Sequence, residues 1–427
     1  MCKFSVRVSY IVISLFVLVL VGIISCTNSD KGIGSQTNKA TLTNNQKEAK
    51  IAKACYYIEN SGSMFGYVNG YTEYVEVVNE LATHPRLVLD NTEKQFFFVN
   101  GDNLQIKALG EKPTVLKDKL NVSEYRKGDI HNSNLNAMFQ LALSKAAEDT
   151  ISLLITDGIY DLRGNENPQT ALANAGKSTR SKFLKRLKDE NLQTLIVKIN
   201  SAFDGTYYKA DGRRVRINHN RPFYIWIFGR SELLSKYFTD TYIQEHLAGY
   251  KAMTRFFKPE DITVPYVPTT KKLNGSFKFD KKNKKILNDV KVDKFSGKLK
   301  FSIAVDFSEI PRSQAYLRNT SNYWLNNKYQ LIAVEEAPDN LYAVNDFNPT
   351  HLLIVESESS PWGELTVAIN YNLPEWISAT DTNTEKNIQE DTTHTYGFRH
   401  LSQGITQAYQ HISQGKEIAK MTIKLKK

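Results

Sequence analysis

Glu59, Ser61 and Ser63 stand at i, i+2 and i+4, directly after the apolar run Ala54–Ile58. Gly62, between the two serines, lets the backbone turn tightly there. A second carboxylate, Asp157, follows the apolar run Ile151–Ile155 within Thr156-Asp157-Gly158. Ser133 sits just before a helical period that opens at Asn134-Leu135. Carboxylate and hydroxyl oxygens are hard ligands. They suit Mg²⁺, Mn²⁺ or Ca²⁺ rather than zinc or copper. Two carboxylates and three hydroxyls leave an octahedral ion short of a donor. The open position is one that an acidic side chain of a partner protein would fill.

Such a set works only if the fold brings the three stretches together. From residue 51 to about 250, short continuous apolar runs alternate with helical periods. The runs are Ala54–Ile58, Phe96–Val99, Ile151–Ile155, Leu195–Ile199 and Phe223–Phe228. Continuous apolar runs suit strands covered on both faces. Tyr71, Tyr74, Val75, Val78 and Leu81 predict one helix, and Leu135, Met138, Phe139, Ala142 and Ala146 predict another. Phe183, Leu184 and Leu187 follow the same period more weakly, and residues 231–247 give a last helix. The expected fold is an α/β domain over 51–260 with an open, mostly parallel, doubly wound sheet. Ligands bind such sheets at the carboxyl ends of strands, near the switch in strand order. Residues 203–215 read as an inserted β-hairpin turning at Asp211-Gly212.

After about 265 the period changes to two. Leu299, Phe301, Ile303, Val305 and Phe307 alternate with other residues. So do Tyr329, Leu331 and Ala333, and Leu365, Val367, Ile369 and Tyr371. Residues 266–427 therefore predict an antiparallel, sandwich-like β domain. It carries a late amphipathic helix over 396–414 (Phe398, Leu401, Ile405, Ala408, Ile412) and a closing strand through Met421, Ile423 and Leu425.

Glu59-Asn60-Ser61-Gly62-Ser63, followed by Met64, resembles the first motif of the von Willebrand factor A domain, Asp-x-Ser-x-Ser. The family's second-loop Thr falls on Ser133 and its third-loop Asp falls on Asp157 in LLITDG; the strand Pro222–Gly229 also fits. Order, spacing and strand context agree over roughly half of the chain. The resemblance implies a metal-ion-dependent adhesion site in which Glu59, Ser61, Ser63, Ser133 and Asp157 hold a divalent cation, Mg²⁺ first. It also implies metal-dependent protein binding or adhesion rather than catalysis. Two positions depart from the family. Glu59 replaces Asp and reaches one methylene further; Ser133 replaces Thr and loses a stiffening methyl.

Beside these, Tyr67, His131 and Tyr160 are candidates for contact with a partner, and Tyr71 is either a loop contact or a core position of the first helix. Cys55 lies inside an apolar run and reads as packing. The chain has no Gly-x-Ser-x-Gly, His-Glu-x-x-His, phosphate-loop or Cys-x-x-Cys pattern. A hydrolase using the same ion would need a base, and Asp129, His131 and Asp161 are the ones at hand. A third alternative is a structural envelope module whose metal site is inactive.

Location is written at the N-terminus. Lys3 and Arg7 precede the apolar run Tyr10–Ile24, which ends in Ile23-Ile24-Ser25-Cys26. This is a secretory signal of about fifteen apolar residues, short of the ~20 a spanning helix needs. Its end resembles a lipobox, so residues 1–25 are expected to be removed and Cys26 to carry lipid. The protein is then an exported bacterial envelope lipoprotein, anchored to a membrane, for which the outer membrane is the expected one. Residues 26–50 are polar and without period, a flexible tether. Cleavage removes two positive charges and no acid from a formal net charge of +10. It also leaves Cys55 as the one free thiol, so no internal disulfide forms. The 427 residues are 41% hydrophobic, enough for sizeable cores and against wholesale disorder. Basic residues are scattered except at Lys281, Lys282, Lys284 and Lys285, an exposed turn rather than a nucleic-acid footprint.

Overall fold

Each of the five continuous apolar runs folds as a strand of one sheet. The structure, a computed structural model, describes residues 49–128, 133–160, 167–209, 212–259, 262–326, 328–338, 341, 347–357, 361–413, 415 and 417–427. The strands are β1 (Lys53–Glu59), β2 (Glu93–Asn100), β3 (Gln105–Gly110), β4 (Thr150–Thr156), β5 (Leu192–Tyr208), β6 (Arg214–Arg230) and β7 (Tyr250–Phe256). They lie in the order β3-β2-β1-β4-β6-β5-β7. Helices α1 (Glu73–Ala82), α2 (Pro85–Leu89), α3 (Val115–Lys119), α4 (Val122–Tyr125), α5 (Leu135–Lys145) and α6 (Pro168–Asp189) fill the connections as far as β5. The segment expected to give one helix over 231–247 gives two, α7 (Ser231–Tyr237) and α8 (Asp240–His246). Thr239 breaks the run and caps α8 by accepting the Tyr242 N–H at 3.1 Å.

The fold is α/β, but the sheet is mixed rather than mostly parallel. Only β1–β2 and β1–β4 pair in parallel; β2–β3, β4–β6, β6–β5 and β5–β7 pair antiparallel. For β5 and β6 the reason is the hairpin. Its arms are not an insertion between two crossover strands: they continue those strands, so β5 and β6 pair without interruption from Leu192↔Arg230 to Tyr208↔Arg214. Two strands joined by a tight turn must run antiparallel. Gly212 takes the positive φ of +80° that this turn requires.

Residues 262–427 supply β8 (Tyr266–Asn274), β9 (Ser276–Phe279), β10 (Ile286–Lys291), β11 (Lys300–Val305), α9 (Gln314–Arg318), β12 (Tyr323–Leu325), β13 (Tyr329–Glu336), β14 (His351–Ser357) and β15 (Gly363–Asn370). Then come α10 (Glu375–Thr380), β16 (Asp381–Thr382), β17 (Thr395–Tyr396), α11 (Phe398–Ile412) and β18 (Glu417–Leu425). Beside the short parallel β16–β17 pair, two larger sheets form, β12-β15-β18-β10-β9 and β13-β14-β11-β8. Their pairings are antiparallel except the short β10–β18 contact. The sheets meet through Phe277 against Phe301, with ring centroids 5.7 Å apart, and through the Tyr266 hydroxyl on the backbone of Thr422. The basic cluster at 281–285 is the β9–β10 turn, whose N–H groups at Lys282 and Asn283 are held by Asp280.

The late helix forms, and its location matters. Helix α11 packs on α6, against the same face of the large sheet that α5 covers. Phe398 stacks on Tyr224 at 4.2 Å, and the Tyr409 hydroxyl bonds to Thr194 (2.9 Å) and to the Leu192 carbonyl (3.1 Å). The Lys198 ammonium is buried beneath the segment before α11 and donates to Thr380 (2.7 Å) and to the Thr393 carbonyl (2.9 Å). One contiguous core therefore runs from Tyr57 and Trp226 into Phe301, Leu365 and Met421.

The α6–α11 crossing is close because two glycines meet there. A Cβ on Gly404 would lie 2.4 Å from the Gly176 carbonyl oxygen, and one on Gly176 would lie 2.7 Å from that of His400. Both obstacles are backbone, so relief requires moving a helix. Gly404→Val is expected to lower unfolding stability by about 3 kcal/mol, read as a drop in the urea midpoint. Gln403→Ala, one residue away and exposed, should change it by less than about 0.5 kcal/mol.

Candidate functional site

The parallel trio β2-β1-β4 sets three strand ends side by side. Ile58 pairs with Ile155 and Glu59 with Val99, so the residues leaving β1 and β4 emerge together. This is the switch point: from β1 the chain winds to β2 and β3 on one side, then crosses to β4 on the other. An isolated parallel bridge between Gly101 and Ser133 holds the third stretch at the end of β2.

The structure thereby gathers all five expected residues. Ser133 donates from Oγ to Glu59 Oε1 at 2.5 Å, and the Ser61 and Ser63 hydroxyls lie 3.0 Å apart. Glu59 and Asp157 are 1% and 4% exposed, and the charge of Asp157 bears on Glu59. Asp157 Oδ1 accepts the Ile159 N–H at 3.1 Å, and Thr156 Oγ1 accepts the Gly158 N–H at 2.9 Å. Gly158 adopts a φ of +71°, where a Cβ would also press within 2.9 Å of the Tyr224 ring. Ser61 opens a 3₁₀ turn, Gly62–Val68, which is fixed by a backbone-to-backbone approach: a Cβ on Gly205 of β5 would lie 2.7 Å from the Gly66 Cα. Beneath the loop, Asn100 donates to Asn60 Oδ1 at 2.9 Å, tying the ends of β1 and β2.

Burial raises the Glu59 carboxyl from its ordinary 4.5 up to about 7, with repulsion from Asp157 adding to it. The hydroxyls of Ser133, Thr156 and Ser61 oppose the rise. Asp157 is also raised by burial, against the Ser63 hydroxyl, the Ile159 N–H and the charge of Arg221. One atom stands out. Glu59 Oε2 is buried and accepts no hydrogen bond among the described residues. A buried carboxylate oxygen without a partner is costly, and a cation beside it removes the cost. The donor set of carboxylate and hydroxyl oxygens fits a hard divalent ion. Among the described residues no three His, Cys, Asp or Glu side chains come together; two carboxylates and neighbouring hydroxyls are what this site offers.

Other expectations fare differently. Tyr67 is not displayed to a partner: it is 1% exposed, its hydroxyl donates to the Pro222 carbonyl at 2.6 Å, and its ring packs on Tyr74, Phe203 and Phe223. The 3₁₀ turn after Ser63 carries it inward. Tyr160 is also buried, its hydroxyl 2.7 Å from Thr179 Oγ1. Tyr71 precedes α1, whose N-cap is Thr72, and is 80% exposed. Cys55 is buried. Asp129, His131, Asp161 and Cys26 lie outside the described residues. Two residues of the site carried no assignment from sequence. Thr156 was visible beside Asp157. Arg221 was hidden just before the strand run PFYIWIFG; it is 2% exposed, stacks over the Tyr207 ring at 4.6 Å and, among the described residues, finds no hydrogen-bond partner for Nη1. Its charge bears on Asp157.

No protein-family model matches the chain, and no curated protein matches it. Among the described residues no helix is long and apolar enough to cross a membrane.

Proposed function

We propose that the chain is an envelope lipoprotein whose α/β half, of the von Willebrand factor A type, binds a divalent cation at Glu59, Ser61, Ser63, Ser133 and Asp157. The ion's open position is completed by an acidic side chain of a protein partner. Lipid on Cys26 and the tether to residue 50 hold the module at the membrane, and the β half orients it. The reading is carried by one observation, the buried and unpartnered Glu59 Oε2 in the middle of converging hydroxyls and a second buried carboxylate. In that arrangement the two carboxylates supply charge and the hydroxyls supply neutral oxygens. Such a site leaves the ion electrophilic enough to take an anionic ligand from outside.

Calorimetric titration of the full chain in detergent with Mg²⁺ or Mn²⁺ tests this. Saturable one-site binding is expected, weakened at least tenfold in Asp157→Ala. The protein captured from envelope extract should be lost on adding chelator and in Asp157→Ala alike. Absence of heat with Mg²⁺, Mn²⁺ and Ca²⁺ in the unmodified chain would overturn the proposal.

A further inference from the structure

We infer that the cleft between α6 and α11 is a docking groove for an acidic, amphipathic segment of a partner protein. The cleft measures about 1040 Å³. Its cationic wall is Arg180, Lys185 and Lys188 of α6, and its apolar floor is Leu184 and Ile412. Arg180, Leu184 and Lys188 follow at i, i+4 and i+8, a single stripe along the helix. The adjacent α6 stripe is used internally: Lys182 binds Gln140, and Arg186 holds the carbonyls of Leu143 and Ala146 and pairs with Glu190 at 4.0 Å. The cleft stripe has no such partners. Among the described residues Arg180 meets only the Gln407 amide, at 3.4 Å, and no acidic side chain lies within ion-pair distance of Arg180, Lys185 or Lys188. Uncompensated cations at the rim of an apolar floor call for an anionic ligand with an apolar face.

Spacing and lining select a peptide. Arg180 and Lys188 stand eight positions apart on the helix, roughly 12 Å along the axis. One phosphate or carboxylate cannot reach both, whereas acids two turns apart on a helical segment can. A second cleft of about 610 Å³ continues along α11, sharing Gln407 and Gln410 with the first, and is lined mainly by neutral amides and hydroxyls. Tyr371, the aromatic residue lining it, is 1% exposed and so offers no ring face on which a sugar could stack. The groove is built from α6, α11 and Gly415 just beyond α11, and its occupancy does not depend on the ion at Glu59 and Asp157.

Fluorescence anisotropy with the full chain tests the inference. The probe is a labelled fifteen-residue peptide of Glu, Leu and Ala whose acids and leucines lie on adjoining helical faces. Saturable binding is expected. The double variant Arg180→Glu/Lys188→Glu should weaken it at least about tenfold. Lys281→Glu/Lys284→Glu makes the same change of net charge in an exposed turn and should alter it less than about twofold. Equal weakening in the two variants, or equal binding of a scrambled peptide of the same composition, would show general attraction to a basic chain and overturn the inference. So would inorganic phosphate or phosphatidylglycerol vesicles displacing the probe with the same dependence on Arg180 and Lys188.

Discussion

A chain that stops at residue 260 is expected to remain unfolded, although those residues contain every strand of the large sheet. The sheet's α5/α6 face is closed by residues that come more than a hundred positions later. Without α11, Tyr224, Trp226 and Phe256 lose Phe398 and Tyr409 as neighbours. Without α10 and residue 393, the Lys198 ammonium loses both of its hydrogen-bond acceptors. Exposing three aromatic side chains costs about 5–9 kcal/mol at 1.5–3 kcal/mol each. That is comparable with the whole stability of an ordinary domain, about 5–15 kcal/mol. Near-UV circular dichroism and limited trypsin digestion of residues 49–260 should show no fixed aromatic environment and no protected core. A cooperative thermal transition in that fragment would refute the expectation.

The second large effect has opposite signs for stability and binding. Glu59→Gln is expected to stabilise the metal-free protein above neutral pH while abolishing the proposed binding of Mg²⁺. Folding raises the Glu59 carboxyl from 4.5 to about 7, so the folded state holds the proton more tightly than the unfolded chain does. The stability due to this group is therefore full below about pH 4.5 and is lost as pH rises through 7. At 1.36 kcal/mol per pH unit, the loss approaches about 3 kcal/mol. Glutamine does not titrate, so the difference between variant and parent should open across that window. Asp157→Asn should act in the same direction, since Asp157 is also raised by burial. Melting curves of the chelated proteins at pH 5 and pH 8 test the sign. A Glu59→Gln protein less stable than the parent at pH 8 would show that the buried charge is already compensated in the metal-free fold.

What was readable in the chain depended on the physics each segment uses. The runs Ala54–Ile58, Ile151–Ile155 and Phe223–Phe228 are apolar on both faces, so they declare themselves as covered strands whatever their direction. Direction is another matter: for β5 and β6 it is set by the tight turn between Lys209 and Arg213, and a short hairpin motif does not disclose that its arms continue into the sheet. Strand β3 carries no sequence signal because Gln105–Gly110 is an exposed edge with no apolar run, and β7 carries little because Tyr250–Phe256 mixes polar and apolar residues on a half-buried edge. The site was legible because strand ends are marked by where an apolar run stops, and Glu59 and Asp157 stand at such stops. Arg221 was not, since nothing local distinguishes a buried arginine before an apolar run from a solvated one. The amphipathic period of α11 shows that one face is buried, but not that α6 and the Gly176–Gly404 contact are what bury it.

The late closure of the sheet by α11 also orders events in time. About 140 residues separate Phe256 from Phe398, so at the usual ~5–20 residues per second synthesis of the closing helix lags the last sheet strand by roughly 7–28 s. Throughout that interval the first half has strands to pair but lacks its lid. Stable closure of the large sheet is therefore expected only once α11 has been made.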